Sequence, residues 1–376
     1  MTNSDNPRTD WVALARQLGP AFAARAAALD ATDSFAAENV TELKAHNFYT
    51  AAVPAELGGG DATMSELSRM FRELAGHCPA TALMLSMHTH IVAGAAWRWR
   101  HENAPTDGLL RRVAKEQCVL ISTGGNDWLD SAGNARKVDG GYRINARKQF
   151  CSGQPVGDLI NTSTVFEDPW DGPVVLHFMV PVTAAGVRIQ QTWKTLGMRA
   201  SGSNDILLED VFVPDTAIGG RRPKGVWHLL FHIAIMFGFP LVYSVYLGVA
   251  EAARDLVIKG VSDKARRDPV TQIAVGAMET TLATARLAVA DMLAAAEGQP
   301  GPATTSRIFT GRQIAGTAAI RTVEQAMDLA GGRAYFRSAG LERLFRDVQA
   351  ARYHSLKAAD QQQLAGRLAL GVSIDG

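Results

Sequence analysis

The spacing of apolar residues changes twice along this chain, and that double change limits the fold more than any other feature. Apolar residues first repeat at helical spacing, as from Trp11 to Leu29. Between Cys118 and Pro214 they alternate or form short runs rich in β-branched residues, with Gly, Asp, Asn and Pro between the runs. From Gly225 onward the helical period returns. The sequence therefore predicts an α+β protein built from three consecutive parts.

Each part has a predicted architecture. Residues 1–117 form an N-terminal all-α domain, residues 118–220 a central antiparallel β-barrel or sandwich, and residues 221–376 a C-terminal four-helix bundle. The four bundle helices are expected at about 226–258, 269–296, 304–330 and 341–370. A planar cofactor has room in the crevice between a rigid sheet and such helices.

One segment, 226–253, is apolar for long enough to span a bilayer. His228, His232 and the break expected at 238–240 favour a buried bundle helix instead. The two histidines lie one helical turn apart and have a spacing that suits a metal ion. No third ligand is visible nearby, so we interpret them as structural and expect no metal.

Charge and cysteine content point to small-molecule chemistry in a reducing compartment. There are 38 basic and 37 acidic residues and a formal net charge of +1, which gives no reason to expect a nucleic acid or a membrane surface as a partner. Cys78, Cys118 and Cys151 are too sparse for a disulfide framework or a thiolate zinc site. The polar start of the chain lacks the apolar core of a signal peptide. We therefore expect a cytoplasmic protein.

Five motifs in a fixed order, spanning nearly the whole chain, carry a family resemblance. They are WKTLGMRASGSNDILLEDVFVP at 193–214, VPAELGGG at 53–60, GYRINARKQFCSG at 141–153, YLGVAEAARD at 246–255 and LAGGRAYFRSAGLERLFRD at 329–347. Together they resemble the acyl-CoA dehydrogenase superfamily of flavoenzymes. The resemblance implies a flavin-dependent oxidoreductase with its isoalloxazine ring between the β-domain and the bundle. It also implies a homotetramer.

The resemblance implies a set of flavin contacts on the β-domain. In the loop STGGND, which begins at Ser122, Thr123 and Asn126 are expected to donate to the flavin carbonyls, while Gly124 allows close backbone approach. An ordinary polar turn is the alternative interpretation of this loop.

Three residues further along the β-domain are expected near the ring itself. Phe150 is expected against the ring and Ser152 near flavin N5. Trp193 is either a second ring contact or a core tryptophan.

A further set of residues concerns the distal half of the cofactor. Arg266 and the Gly331-Gly332 turn match the family residues that reach the adenosine half of FAD in a neighbouring subunit. The segment KARRDPVTQ at 264–272 lacks the Phe-Gly of those relatives. FAD and FMN are therefore both open as the cofactor.

The sequence departs from the family at the catalytic base. A dehydrogenase needs a carboxylate in an apolar pocket to take a proton from the substrate. The two positions where relatives carry this glutamate correspond to Ser355, preceded by His354, and to a place near Gly238. Neither position offers a carboxylate.

This departure resembles the flavin-dependent monooxygenase branch of the same fold, which receives reduced flavin from a separate reductase. His354, Ser152 and His88 match catalytic positions of that branch, and an imidazole has a suitable pKa for proton transfer near neutrality. His88, on a mostly apolar helix, is alternatively a core residue.

The sequence leaves the reaction open. Monooxygenation of a small organic substrate is the favoured hypothesis, with an acyl-CoA dehydrogenase that uses His354 as a substitute base as the first alternative. An enzyme that oxidises nitroalkanes or amines, and a non-catalytic flavin-binding member, are further alternatives.

Overall fold

The computed structural model describes residues 9–123 and 129–375. Its first part is helical, as the sequence predicts. The helix starts carry side-chain caps: Asp10 accepts a hydrogen bond from the backbone N–H of Ala13, and Thr63 forms a reciprocal capping box with Glu66. The five helices are α1 (Trp11–Ala31), α2 (Ala37–Ala45), α3 (Met64–His77), α4 (Pro79–Glu102) and α5 (Asp107–Glu116).

The central part is one sheet of eight strands. Seven of them follow the order β6-β7-β3-β2-β4-β5-β8, and β1 pairs with β4 beside that path. Apolar side chains that alternate along the strands form a separate core of their own. The strands are β1 (Leu120–Ser122), β2 (Asn134–Val138), β3 (Gly141–Lys148), β4 (Leu159–Asp168), β5 (Gly172–Pro181), β6 (Val187–Gln190), β7 (Asp205–Pro214) and β8 (Ile218–Pro223).

The sheet differs from the predicted one in two ways. Most strand pairs are antiparallel as expected, but β1 and β2 both pair with β4 in parallel. Strands β2 and β8 escaped prediction because their sequences, NARKV and IGGRRP, lack alternating apolar residues.

The third part is again helical. Helix α6 runs unbroken through Pro240, so the break expected at 238–240 is absent. Helices α6 and α8 are both long and apolar enough for a membrane span by composition, but 89% of the most apolar window of α6 is buried inside the protein. The helices are α6 (Leu229–Lys259), α7 (Asp263–Arg266), α8 (Pro269–Ala296), α9 (Pro302–Ala330), α10 (Leu341–Val348) and α11 (Ala358–Ala369).

The prediction of a fourth long bundle helix at 341–370 is wrong. The segment splits into α10, a 3₁₀ turn at Gln349–Arg352, an irregular stretch and α11. The guanidinium of Arg312 on α9 donates to the backbone carbonyls of His354 and Leu356 at 2.5 and 2.6 Å. These charged contacts hold the irregular stretch in place against the local helical preference.

Helix α6 joins the N-terminal helices to the bundle. It packs against α3 and α4 on one side and against α8 and α9 on the other. Gly248 allows the close approach to α3, because a Cβ there would lie 2.4 Å from the carbonyl oxygen of Arg72. Burial of this helix fixes the helical surface that faces the sheet.

Candidate active site

A cavity of about 520 Å³ lies between the sheet and the helices. Its lining comes from α4, the end of β1, the turn after β3, the segment between β6 and β7, helix α6, Phe309 on α9 and the irregular stretch before α11. The volume falls within the range of ordinary small-molecule sites. Residues from all three parts of the chain thus meet at one place.

The sheet side of the cavity, here called the sheet wall, consists of Thr123, Phe150, Ser152 and Trp193. Phe150 leaves 54% of its surface exposed and meets the ring of Trp193 edge to face at 6.1 Å. The indole N–H of Trp193 donates to the carbonyl of Met198 at 3.1 Å. The sheet wall therefore offers apolar ring surface beside two hydroxyl groups.

Ser152 belongs to a chain of three serine hydroxyls. Its Oγ lies 2.8 Å from Oγ of Ser203, which lies 2.8 Å from Oγ of the fully buried Ser201. Since each hydroxyl can donate and accept, the chain leaves Ser152 able to present either role to the cavity.

The opposite side, here called the bundle wall, carries His354. The phenol of Tyr246 lies 2.5 Å from Nε2 of His354, and burial raises the pKa of Tyr246 well above its ordinary value. A phenol that keeps its proton can donate it to Nε2, and in that arrangement the imidazole proton resides on Nδ1. Burial, and next the charge of Arg312, lower the pKa of His354 to about 3, so this side chain is neutral near pH 7.

Arg312 fixes the position of His354 through the backbone. Besides the two carbonyls of the irregular stretch, it donates from Nε to the phenol oxygen of Tyr243 at 2.8 Å. Tyr243 in turn donates to the carbonyl of Ala351 at 2.7 Å. Three hydrogen bonds thus tie α6 and α9 to residues 351–356, and a fourth joins the two helices to each other.

Two histidines two residues apart on α4 have different surroundings. Nε2 of His88 donates to the carbonyl of Tyr49 at 2.8 Å, and Nδ1 accepts from the backbone N–H of Leu120 at 3.0 Å. His88 is 1% exposed and lies outside the cavity lining. Both ring nitrogens of His88 are occupied by backbone groups, which favours its interpretation as a core residue.

His90 is the histidine of α4 that lines the cavity. Its Nδ1 donates to the carbonyl of Ser86 at 3.3 Å, which leaves Nε2 as an acceptor. Burial lowers the pKa of His90 to about 4. A Cβ built on Gly238 would lie 3.6 Å from its ring, so the position where some relatives carry a glutamate faces His90 directly.

The cavity lining contains no aspartate or glutamate among the residues that the structure describes. Its one guanidinium there, Arg346, pairs with Asp30 at 2.6 Å and with Glu342 at 2.7 Å. Behind it, Asp347 accepts from the backbone N–H of Met198 at 2.5 Å, and burial raises the pKa of this carboxyl to about 6.

The remaining predicted cofactor residues divide into three groups. Ser122 lines the cavity beside Thr123. Gly124 and Asn126 lie outside the described residues. The third group does not line the cavity and comprises Arg266, Gly331 and Gly332.

Arg266 lies away from the cavity, at the end of the short helix α7. It donates to the backbone carbonyls of Val261 and Ile258, both at 3.1 Å. These bonds use part of its guanidinium at the junction of α6 and α7.

The histidines at the start of α6 have local roles. Nδ1 of His228 accepts from the backbone N–H of Leu230 as a helix cap, and Nδ1 of His232 lies 2.7 Å from the hydroxyl of Thr305. Within residues 9–123 and 129–375 no group of three or more metal-ligating side chains occurs.

Sequence reasoning missed His90, Tyr246 and Arg312. Helix α4 is buried on nearly all sides, so no apolar stripe distinguishes the face of His90 from that of His88. Tyr246 lies within the motif YLGVAEAARD, but its partner His354 is 108 residues away. A pairing at that separation leaves no local signal in a single sequence.

The fold and the cavity define a class of protein: a helical domain, a mostly antiparallel sheet and a helical bundle around a site for a planar cofactor. Family models describe the same class. The acyl-CoA dehydrogenase N-terminal domain matches residues 13–104, and the acyl-CoA dehydrogenase C-terminal domain matches residues 241–358. Together these matches cover more than half of the chain. The chain belongs to the acyl-CoA dehydrogenase superfamily.

Individual relatives are distant but match along almost their full length. YdbM of Bacillus subtilis, which bears an acyl-CoA dehydrogenase name, is 26% identical over 92% of this chain and 93% of its own. The pigment production hydroxylase of a Rhodococcus species is 26% identical over 98% of each chain. The structure of FMN-bound TdsC from a Paenibacillus species superposes with a TM-score of 0.84 at 18% identity, covering 98% of this chain and 100% of that one.

Proposed function

We propose that this chain is a flavin-dependent monooxygenase that uses reduced flavin to oxygenate a small organic substrate. The observation that carries the proposal is a pair of histidines opposite the sheet wall. Two neutral imidazoles, His90 and His354, line a cavity whose described residues include no carboxylate. A neutral imidazole offers one N–H donor and one nitrogen acceptor for hydrogen bonds to a substrate, whereas a dehydrogenase base of the usual kind is a carboxylate.

The sheet wall fits a flavin. Phe150 and Trp193 offer ring surface, and the hydroxyls of Thr123 and Ser152 can hydrogen-bond to the polar edge of an isoalloxazine. The FMN bound to TdsC, a protein of the same fold, supports this assignment. The proposal accommodates FMN or FAD, with Arg266, Gly331 and Gly332 as candidate contacts for a longer cofactor.

Bound reduced flavin supplies the oxygen chemistry: it activates dioxygen, one atom of which enters the substrate while the other leaves as water. The chain supplies proton handling and orientation. Nε2 of His90 accepts a hydrogen bond from the substrate, and Nδ1–H of His354 donates a hydrogen bond into the site. Ser152 lies on the opposite wall with a hydroxyl that can serve in either role.

The experiment supplies the purified protein with FMN, a flavin reductase, NADH, isotopically labelled dioxygen and a panel of small organic substrates. We expect a product that carries one labelled oxygen atom and forms only when flavin is reduced. Flavin binding without labelled product from any substrate would contradict the proposal and favour a non-catalytic member.

A second candidate is α,β-dehydrogenation of an acyl-CoA with an imidazole base. The similarity to YdbM favours it, since that relative bears an acyl-CoA dehydrogenase name. His90 then takes the α-proton, because its Nε2 is an acceptor facing the cavity. Reduction of bound oxidised flavin by an acyl-CoA in the absence of oxygen distinguishes this candidate from the first.

The assembly and cellular setting belong to the same proposal. Helix α8 exposes Val270, Ile273 and Leu287, each more than 70% accessible, which supports burial against other copies in a homotetramer. The burial of Cys78, Cys118 and Cys151 fits a reducing cytoplasm. Light scattering during gel filtration tests the assembly, and a monomer would contradict it.

A further inference from the structure

We propose that the substrate of this cavity is a neutral aromatic molecule of one or two rings that carries a hydroxyl or N–H group. The inference rests on the proposed function for the chemistry performed on that substrate. Charge, ring surface and hydrogen-bonding groups of the cavity determine how the substrate is recognised.

The charge of the cavity lining disfavours an ionic substrate. Among the described lining residues Arg346 is the sole lysine or arginine, and its guanidinium is bound to Asp30 and Glu342. Its Nη1 also donates to the carbonyl of Leu196 at 3.1 Å. The two imidazoles are neutral near pH 7. Among the described lining residues a buried carboxylate, phosphate or ammonium group finds no available counter-ion, and an unpaired buried charge is strongly unfavourable.

The helical side of the cavity offers a large ring surface. Four aromatic side chains line it: Trp227, Phe231, Phe239 and Phe309. Phe239 and Phe309 lie 5.0 Å apart in a tilted arrangement, and Trp227 meets Phe231 edge to face at 6.2 Å. Such a surface binds a flat aromatic ring through burial and quadrupole contacts.

The two imidazole tautomers select the polar group of the substrate. His90 leaves Nε2 as an acceptor, and the phenol of Tyr246 leaves the proton of His354 on Nδ1 as a donor. A hydroxyl or ring N–H can donate to the former, and a hydroxyl oxygen can accept from the latter. Because the cavity of about 520 Å³ must also hold the flavin ring, the substrate has to be small.

The test uses three naphthalene probes of matched size and different charge: 2-naphthol, 2-naphthoate and 2-naphthylmethylammonium. Equilibrium dialysis against the oxidised FMN complex near pH 7 measures binding without turnover. We expect 2-naphthol to bind at least about 100-fold more tightly than either charged probe. Comparable or tighter binding of a charged probe, or no detectable binding of 2-naphthol, would overturn the inference.

A matched pair of variants at Gly238 tests the role of charge. A Cβ at this position would make only ordinary contact with His90, so a side chain is tolerated at its base. Gly238→Glu adds a carboxylate to the cavity, and Gly238→Gln adds the same shape without charge. We expect Gly238→Glu to bind the ammonium probe at least about tenfold more tightly than Gly238→Gln does. Equal affinities would contradict the role of charge, and the wild-type comparison stands if either variant fails to fold.

The two proposals fail in distinguishable ways. Selective binding of 2-naphthol with no labelled oxygen in any product contradicts the monooxygenase and leaves the substrate class supported. Labelled product from a charged substrate, with weak binding of 2-naphthol, contradicts the substrate class and supports the monooxygenase.

Discussion

The two walls of the cavity differ in how closely they follow the family. The sheet wall, with Thr123, Phe150, Ser152 and Trp193, lies where the resemblance implies flavin contacts. The bundle wall departs: Gly238 and Ser355 stand at the two glutamate positions, and both line the cavity. The sheet wall, which suits the cofactor, thus faces a side of the cavity that carries imidazoles and, among the described residues, no carboxylate. The difference indicates that this fold can keep a flavin site while its proton chemistry changes.

The largest effect that we expect comes from removal of the bundle-wall donor. His354→Ala should lower the rate of labelled product formation by about 10³-fold, a typical loss for a group that transfers protons or donates hydrogen bonds in the reaction. The dissociation constant of FMN, measured by fluorescence, should stay within about threefold, because the sheet wall is intact. A product rate within a few-fold of wild type would show that His354 has no role in the reaction.

A paired substitution on α4 separates the two histidines of that helix. His90→Gln should lower product formation about 100-fold, since it removes an imidazole that faces the cavity. His88→Gln should instead lower the free energy of unfolding by about 1–3 kcal/mol through its two backbone partners, with the turnover of folded protein little changed. Urea denaturation and turnover of both variants decide, and the reverse pattern would contradict the assignment.

The contact between α10 and the segment that joins β6 to β7 can be tested through the pH dependence of stability. Asp347 on α10 accepts from Met198, and its pKa is raised to about 6 from an ordinary value of 3.8. Between these values the folded protein holds a proton that the unfolded chain has released, so this group makes the free energy of unfolding fall as pH rises. In the wild type this group lowers the free energy of unfolding by about 2 kcal/mol between pH 4 and pH 7, and Asp347→Asn should abolish that decrease. Identical pH profiles of wild type and variant would contradict this.

The smallest expected effect lies on the sheet wall. Ser152→Ala should weaken binding of reduced FMN about tenfold through loss of one hydroxyl. Ser201→Ala, at the buried end of the same serine chain, is the matched control and should change that affinity by less than about threefold. Equal effects of the two substitutions would show that the serine hydroxyls influence FMN affinity through packing and not through direct contact with the flavin.

The sequence carried most of the fold because periodicity is a local property. The helical period from Trp11 to Leu29 falls within α1, and the alternating region between Cys118 and Pro214 contains strands β1 to β7. The prediction of one helix over 341–370 failed because Arg312, which is distant in sequence, binds the backbone carbonyls of His354 and Leu356. Strands β2 and β8 were not predicted because they are strands through pairing with their neighbours, and their own sequences lack alternating apolar residues.

The site was recoverable in part. Ser122, Thr123, Phe150, Ser152, Trp193 and His354 all line the cavity, because contiguous motifs carry them. The sequence could not show that His90 lines the cavity and His88 does not, because the packing of α4 against Tyr49 and Leu120 decides which ring is occupied by backbone groups. Tautomers likewise depend on partners that periodicity cannot show.

We propose that a flavin site here faces imidazoles in place of a carboxylate base and that the protein oxygenates its substrate instead of dehydrogenating acyl-CoAs. The most direct measurement mixes the oxidised, flavin-loaded protein with acyl-CoAs of short, medium and long chain in the absence of oxygen and follows the flavin absorbance. We expect the spectrum of oxidised flavin to persist with every acyl-CoA. Rapid bleaching by any of them would contradict the claim and establish a dehydrogenase with a histidine base.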